Sequence, residues 1–140
     1  MSIPMSMPES ARQRPALLTA LGALGALAAA SVLVRASPLR VTLALARALK
    51  WATRRAASTG QARRVIDARD WATRCVPGRA ACMERSLAAF LMCCATGAAV
   101  DWCLGCRFDP CEGHAWIETD GTAVGEPESP DRPLYVTVRV

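Results

Sequence analysis

The chain carries one histidine, His114, within the stretch EGHAWIETDGTAVGE at residues 112–126. Imidazole is the side chain best suited to exchanging a proton near neutral pH, so the first question is which group it could serve. Cys82, in PGRAACMERSLAAFL, falls at or just inside the start of a run with helical spacing. At such a position free backbone N–H groups and the helix dipole favour thiolate over thiol. Cys93 and Cys94 fall near the other end of that run, where the dipole has the wrong sign, and Cys75 falls near the end of the preceding helix. A Cys–His pair performs nucleophilic acyl chemistry: the imidazole takes the thiol proton, and the imidazolium later protonates the leaving amine. This chemistry calls for no cofactor. It does call for a third group, usually a carboxylate, that fixes the imidazole tautomer.

Two glutamates compete for that role. Glu118 shares a strand face with His114 but lies two pleats away, roughly 13 Å along the strand. Glu126 depends on the hairpin between them. A two-residue turn at Asp120-Gly121 would place Pro127 opposite His114. A three-residue loop, Thr119-Asp120-Gly121 with Gly121 left-handed, pairs Glu118 with Thr122, Trp116 with Val124 and His114 with Glu126. Directly opposed side chains have Cβ atoms about 4.5–5.5 Å apart, within hydrogen-bonding reach. The candidate catalytic set is therefore Cys82, His114 and Glu126, on the condition of a three-residue loop.

The same histidine admits two other readings. It can be a packed strand residue with an ordinary cross-strand partner. It can also complete C-x2-C-x4-C-x2-H with Cys103, Cys106 and Cys111, a donor set dense enough for a structural zinc, with Gly105 turning the chain as a knuckle requires. Against zinc, DWCLGCRF also reads as a strand, on which residues three apart point to opposite faces.

The elements that must position these groups follow from periodicity. Residues 1–14 form a Met-, Pro- and Ser-bearing lead. Residues 15–34, PALLTALGALGALAAASVLV, carry no charge and reach bilayer-spanning length, but Ala and Gly dominate them and contribute little transfer energy. The run is long for a signal peptide and no small-residue cleavage site follows it, so the expectation is a soluble or membrane-grazing helix of a cytoplasmic protein. Ser37-Pro38 opens a second helix with Leu45, Leu49 and Ala52 on one face and Arg47, Lys50 and Arg54 on the other. Ser58-Thr59-Gly60 breaks the pattern, and QARRVIDARDWATRC reads as a third helix with Val65, Ile66 and Trp71 as core. A fourth follows Pro77-Gly78, with Met83, Leu87, Phe90, Leu91 and Cys94 at helical spacing and Gly97 ending it. From residue 100 the period becomes that of strands: AVDWCLGCRF, HAWIET, TAVGE and LYVTVRV. Helices first and strands last describe an α+β domain.

At 140 residues the chain holds one moderate core, and at 52% hydrophobic with 5% aromatic it is filled mainly by Ala, Leu and Val. The net charge of +5 is unevenly spread. Residues 35–79 carry eleven Lys or Arg against two Asp, whereas residues 101–140 carry three Arg against eight Asp or Glu. Such asymmetry separates docking from local chemistry. No aromatics interleave with base-reading side chains, which argues against nucleic acid. Seven cysteines cannot all pair, and in a reducing compartment most serve as small apolar residues.

Three blocks, PGRAACMERSLAAFL, GAAVDWCLGCRFDP and GHAWIETDGTAVGE, resemble in order and spacing the peptidase component of lasso-peptide biosynthesis, a transglutaminase-type, papain-related cysteine protease. The likeness covers about residues 63–140, with residues 1–62 matching only in helical character. It implies a transglutaminase-like core whose Cys82-bearing helix packs on a small antiparallel sheet. It also implies Cys82 as nucleophile, His114 as base and Glu126 as orienting acid. The family more often has Asp at that last position, an aliphatic residue at Cys106 and a non-cysteine at Cys111. The implied reaction is removal of the leader from a ribosomally made precursor peptide through a thioester, with a separate leader-recognition protein as partner and a lasso cyclase acting next. Transglutaminases and amine acetyltransferases share the steps up to the acyl-enzyme, so acyl transfer stands as the alternative within the same chemistry.

Overall fold

A computed structural model describes residues 14–108, 110–127 and 130–140. The first thirteen residues of the expected lead lie outside the described residues. Four helices precede a four-stranded antiparallel sheet, the expected α+β arrangement. Helix α1 (Leu17–Ala36) is long and apolar enough to cross a membrane, with a mean hydropathy of 2.2. One stripe of it, Ala20, Ala23, Leu27 and Ala30, is buried, and its small side chains let α1 lie close to the two later helices that it packs against. On its other side Leu17, Leu18, Leu21 and Val32 are exposed.

Helix α2 (Leu39–Ala52) is entered through Pro38 in extended conformation. It docks through Thr42 and Ala46, with Leu49 half-buried, while Leu45 and Ala52 are exposed. The expected face is therefore rotated, which brings Lys50 to the docked side. The Lys50 ammonium, expected on the solvated side, reaches the Asp101 carboxylate and donates to the Val140 carbonyl at 2.8 Å. Helix α3 (Thr59–Cys75) begins within the expected break, because Ser58 caps it. Ser58 Oγ accepts from the Gln61 backbone N–H at 3.2 Å, and Gln61 Oε1 accepts from the Ser58 N–H at 2.9 Å, which satisfies two otherwise orphaned donors. Ala62, Ile66, Ala68, Arg69 and Ala72 are buried, whereas Val65 and Trp71 are half-buried. Strands β1 (Arg55–Ala56) and β2 (Ala98–Ala99) form a short parallel pair.

Helix α4 (Cys82–Ala95) is the central element, buried at Leu87, Ala88, Ala89, Phe90, Met92 and Cys93 and ended near Gly97 at φ +75°. Strands β3 (Asp101–Arg107), β4 (Glu112–Thr119), β5 (Thr122–Val124) and β6 (Leu134–Arg139) form a sheet in the order β5-β4-β3-β6. Trp102 and Leu104 pair with Ile117 and Ala115, and all four join Leu87 and Phe90 in one core that also holds Leu27 of α1 and Ala46 of α2. The Trp102 indole N–H, fully buried, donates to Ser86 Oγ at 3.0 Å and so joins sheet to helix. Strand β6 is an edge strand, exposed at Tyr135 and Val136. Burial pushes the thiols of Cys93 and Cys103 up to about 12, which keeps both protonated as inert core groups.

Partial burial works against the Asp101 carboxylate, yet hydrogen bonds from Lys50 and Arg139 outweigh it and hold the group below the usual carboxylate range. A depressed folded-state value stabilises the fold above the unfolded value of about 3.9, and that contribution vanishes as pH falls through the folded value. Stability should therefore drop below about pH 4 more steeply in the wild type than in Asp101→Asn, as read by denaturant titrations at stepped pH; parallel slopes would contradict this. Ser86→Ala strands the Trp102 N–H away from water and should cost about 1–3 kcal/mol, measured by urea unfolding, where an unchanged midpoint would refute the link.

Candidate active site

Cys82 is the first residue of α4, entered from Ala81 in extended conformation. Two residues on, Glu84 is buried at 3% exposure. Its Oε2 accepts the Ala81 backbone N–H at 3.1 Å, and its Oε1 accepts from Arg35 Nε at 2.8 Å. A carboxylate in the first turn complements the helix dipole, and here it also ties the turn carrying Cys82 to the end of α1. The rest of the Cys-x-x-Arg-Ser-Leu block has structural contacts too. Arg85 pairs with Asp70 of α3 at 2.8 Å, Ser86 holds Trp102, and Leu87 is core.

His114 sits on β4 opposite Gly105. Its Nε2 lies 2.7 Å from Glu126 Oε2. The ring stacks on Trp116, with centroids 5.9 Å apart and planes within 17°. Trp116 in turn donates its indole N–H to Glu118 Oε1 at 2.9 Å, and Glu118 also receives Arg139, so Glu118 is engaged away from the histidine. With Nε2 donating to a carboxylate, Nδ1 keeps the lone pair and is the nitrogen able to accept a proton.

The route by which Glu126 reaches His114 differs from the expected one. The ladder pairs Thr119 with Thr122, Glu118 with Ala123 and Ile117 with Val124, so the loop is the two-residue Asp120-Gly121 turn and not a three-residue one. Both turn residues have positive φ, 51° and 75°, which matches the right-handed twist of the flanking strands. Continued regularly, this register would set Pro127 opposite His114. The ladder instead stops at Val124, and Gly125 at φ +75° turns the backbone out of it. Gly125 runs so close to α3 that a Cβ there would lie 2.8 Å from Ile66 Cγ2. That glycine bend, and not a cross-strand pairing, delivers Glu126 to the imidazole.

Cys82, His114 and Glu126 line one cleft of about 430 Å³. Arg69, Arg85, Arg107 and Arg132 line it as well, and of these Arg85 and Arg107 belong to blocks that carry the resemblance. The one available signal was the spacing of Arg85, three residues after Cys82 and hence on the same helix face. Arg107 Nη2 lies 3.5 Å from Glu126 Oε2 while its Nη1 donates to the Arg132 carbonyl at 2.8 Å, so the carboxylate that meets the imidazole also meets a guanidinium. A thiol at a helix start, an imidazole oriented by a carboxylate and a shared cleft can together carry out nucleophilic attack on a carbonyl.

The zinc set is not assembled. Cys103 and Cys106 are three apart on β3 and project to opposite faces, Cys103 buried and paired with Trp116, Cys106 half-buried. Partial burial and the neighbouring Cys111 thiol raise Cys106 above the ordinary thiol range. Among the described residues no three His, Cys, Asp or Glu side chains lie together in a way that could hold a metal ion. Gly105 is no knuckle either. It lies mid-strand, where a Cβ would come within 1.8 Å of the Tyr135 carbonyl oxygen, so its absent side chain permits the approach of β6.

A family model of the transglutaminase-like superfamily matches residues 23–139, and the chain belongs to that superfamily. Its members include cysteine proteases and acyltransferases. No curated protein and no solved structure matches the chain.

Gly125→Ala places a side chain at a positive φ against Ile66 and should cost about 1–3 kcal/mol while displacing Glu126. Nitrogen NMR of the single imidazole should report one Nε2–H tautomer in the wild type and a tautomer mixture in Gly125→Ala. A wild-type spectrum in the variant would show that the bend does not position the carboxylate.

Proposed function

We propose that this chain is a cysteine peptidase that removes the leader from a ribosomally made lasso-peptide precursor. The observation that carries the reading is the 2.7 Å contact of His114 Nε2 with Glu126 in the same cleft as Cys82. Superfamily membership supports the reaction class, and the three sequence blocks that resemble the lasso leader peptidases support the substrate. In the proposed reaction His114 Nδ1 takes the Cys82 proton as Sγ attacks the carbonyl carbon at the leader's end. The Cys82 backbone N–H faces the forming oxyanion. The imidazolium then protonates the leaving nitrogen, which frees the core peptide and leaves the leader as a thioester on Cys82. A water molecule, deprotonated by the same imidazole, hydrolyses that thioester. Glu126 stabilises the imidazolium and holds its tautomer throughout. Glutamate is one methylene longer than the family's usual Asp.

The reading assigns the protein to the cytoplasm, with the exposed Leu17, Leu18, Leu21 and Val32 of α1 able to graze a membrane surface. It takes the precursor peptide as substrate, a separate leader-recognition protein as partner and a lasso cyclase as the enzyme that receives the freed core; nucleic acid has no part in it. The same superfamily contains acyltransferases, so transfer of the acyl group from Cys82 to an amine is the second reading. Product mass separates water from an amine as acceptor.

Incubation with precursor and recognition partner should release leader and core, detected by mass spectrometry. Cys82→Ala should abolish release and Glu126→Gln should slow it less severely, since orienting groups contribute less than nucleophiles. Release at the wild-type rate in Cys82→Ala would end the proposal.

A further inference from the structure

Among the described residues, the cleft around Cys82 holds more positive charge than its carboxylates balance. Arg69, Arg85, Arg107 and Arg132 line it against Glu112 and Glu126, with Asp70 joining from α3. Arg132 is met by Glu112 at 3.1 Å and Arg107 by Glu126 at 3.5 Å. The remaining two guanidinium groups share one carboxylate oxygen. Asp70 Oδ1 receives Arg69 Nε at 2.9 Å, Arg69 Nη2 at 2.6 Å and Arg85 Nη2 at 2.8 Å. One carboxylate neutralises one guanidinium, so the Arg69–Arg85 pair carries a surplus unit of charge. The Arg69 side chain is 8% exposed and that of Arg85 41%, so the surplus faces the cleft on the Arg85 guanidinium, whose Nε is nevertheless a buried donor with no partner among the described residues. A buried, unpaired N–H on a cationic group is costly unless something else accepts it.

We infer that the cleft binds a carboxylate side chain of the peptide substrate, an Asp or Glu close to the scissile bond, on the Arg85 guanidinium with Arg69 behind it. Cys82 and Arg85 are neighbours on one face of α4, with Cβ atoms about 5–6 Å apart. An extended peptide advances about 3.3–3.6 Å per residue, so with the reach of both side chains the acidic residue lies within about three residues of the bond that Cys82 attacks. A planar guanidinium fork matches a carboxylate geometrically, and the low dielectric of a half-enclosed cleft strengthens the pairing. This specificity rests on the peptidase reading of the site, but the binding step it names is measurable without cleavage.

The test uses Cys82→Ala protein and fluorescein-labelled alanine-based peptides in which a single Asp, Glu, Asn, Gln or Lys is moved through each position. Anisotropy titrations should show binding about tenfold or more tighter for Asp or Glu than for the matched amide, confined to one or two adjacent positions and weakened by salt. Arg85→Gln should flatten that preference, and Arg74→Gln, an exposed residue of α3 outside the cleft, should leave it intact. Equal affinity for acid and amide at every position overturns the inference, and this comparison needs no change to the cleft arginines. An acid preference that survives in Arg85→Gln also overturns it, by moving the carboxylate site elsewhere. Failure here leaves leader release by the wild type untouched. Conversely, acid-selective binding by a wild-type protein that cleaves no peptide would refute the peptidase reading and keep the carboxylate site.

Discussion

The arrangement depends on one hydrogen bond, from His114 Nε2 to Glu126 Oε2 at 2.7 Å. It commits one ring nitrogen as donor and leaves the other with a free lone pair. Everything around it serves to hold that choice. Trp116 stacks on the ring and limits its rotation. The Trp116 indole is itself pinned by Glu118, which Arg139 holds in turn. A hydrogen-bonded network thus runs along the strand behind the histidine, from Trp116 through Glu118 to Arg139.

The Cys82 side is held by separate devices. Glu84 ties the first turn of α4 to Arg35 at the end of α1. Ser86 ties its second turn to Trp102 in the sheet. These two contacts join the helix to both the bundle and the strands, and the Cys82 end of α4 and the His114 end of β4 meet at one cleft. The buried Cys93 and Cys103, pushed up to about 12, stay as packing thiols away from that site.

The helices and strands were readable because their apolar periods are long and unbroken. Helix faces were less so. Leu45 reads as core, but α2 docks through Thr42 and Ala46 and brings Lys50 to Asp101, and no local pattern announces a partner fifty positions away. Ser58 looked like a breaker because a capping serine and a loop serine are the same letter until Gln61 is read with it. The pairing of His114 with Glu126 was anticipated through the wrong geometry. The turn is two residues long, and the correction lies in Gly125, whose positive φ ends the ladder one step before the carboxylate. The arginine wall was invisible because its members come from α3, α4, β3 and the segment after β5, and only the fold brings them together.

The most direct test of the central idea needs neither substrate nor partner. Iodoacetamide alkylation at neutral pH, followed by peptide mapping, ranks the thiols by rate, with the exposed Cys75 and Cys111 as internal references. If the imidazole activates the thiol at the start of α4, Cys82 reacts fastest and His114→Ala lowers its rate to that of Cys75. If Cys82 reacts no faster than the two references and is indifferent to His114→Ala, the cleft holds no activated nucleophile and the account is wrong.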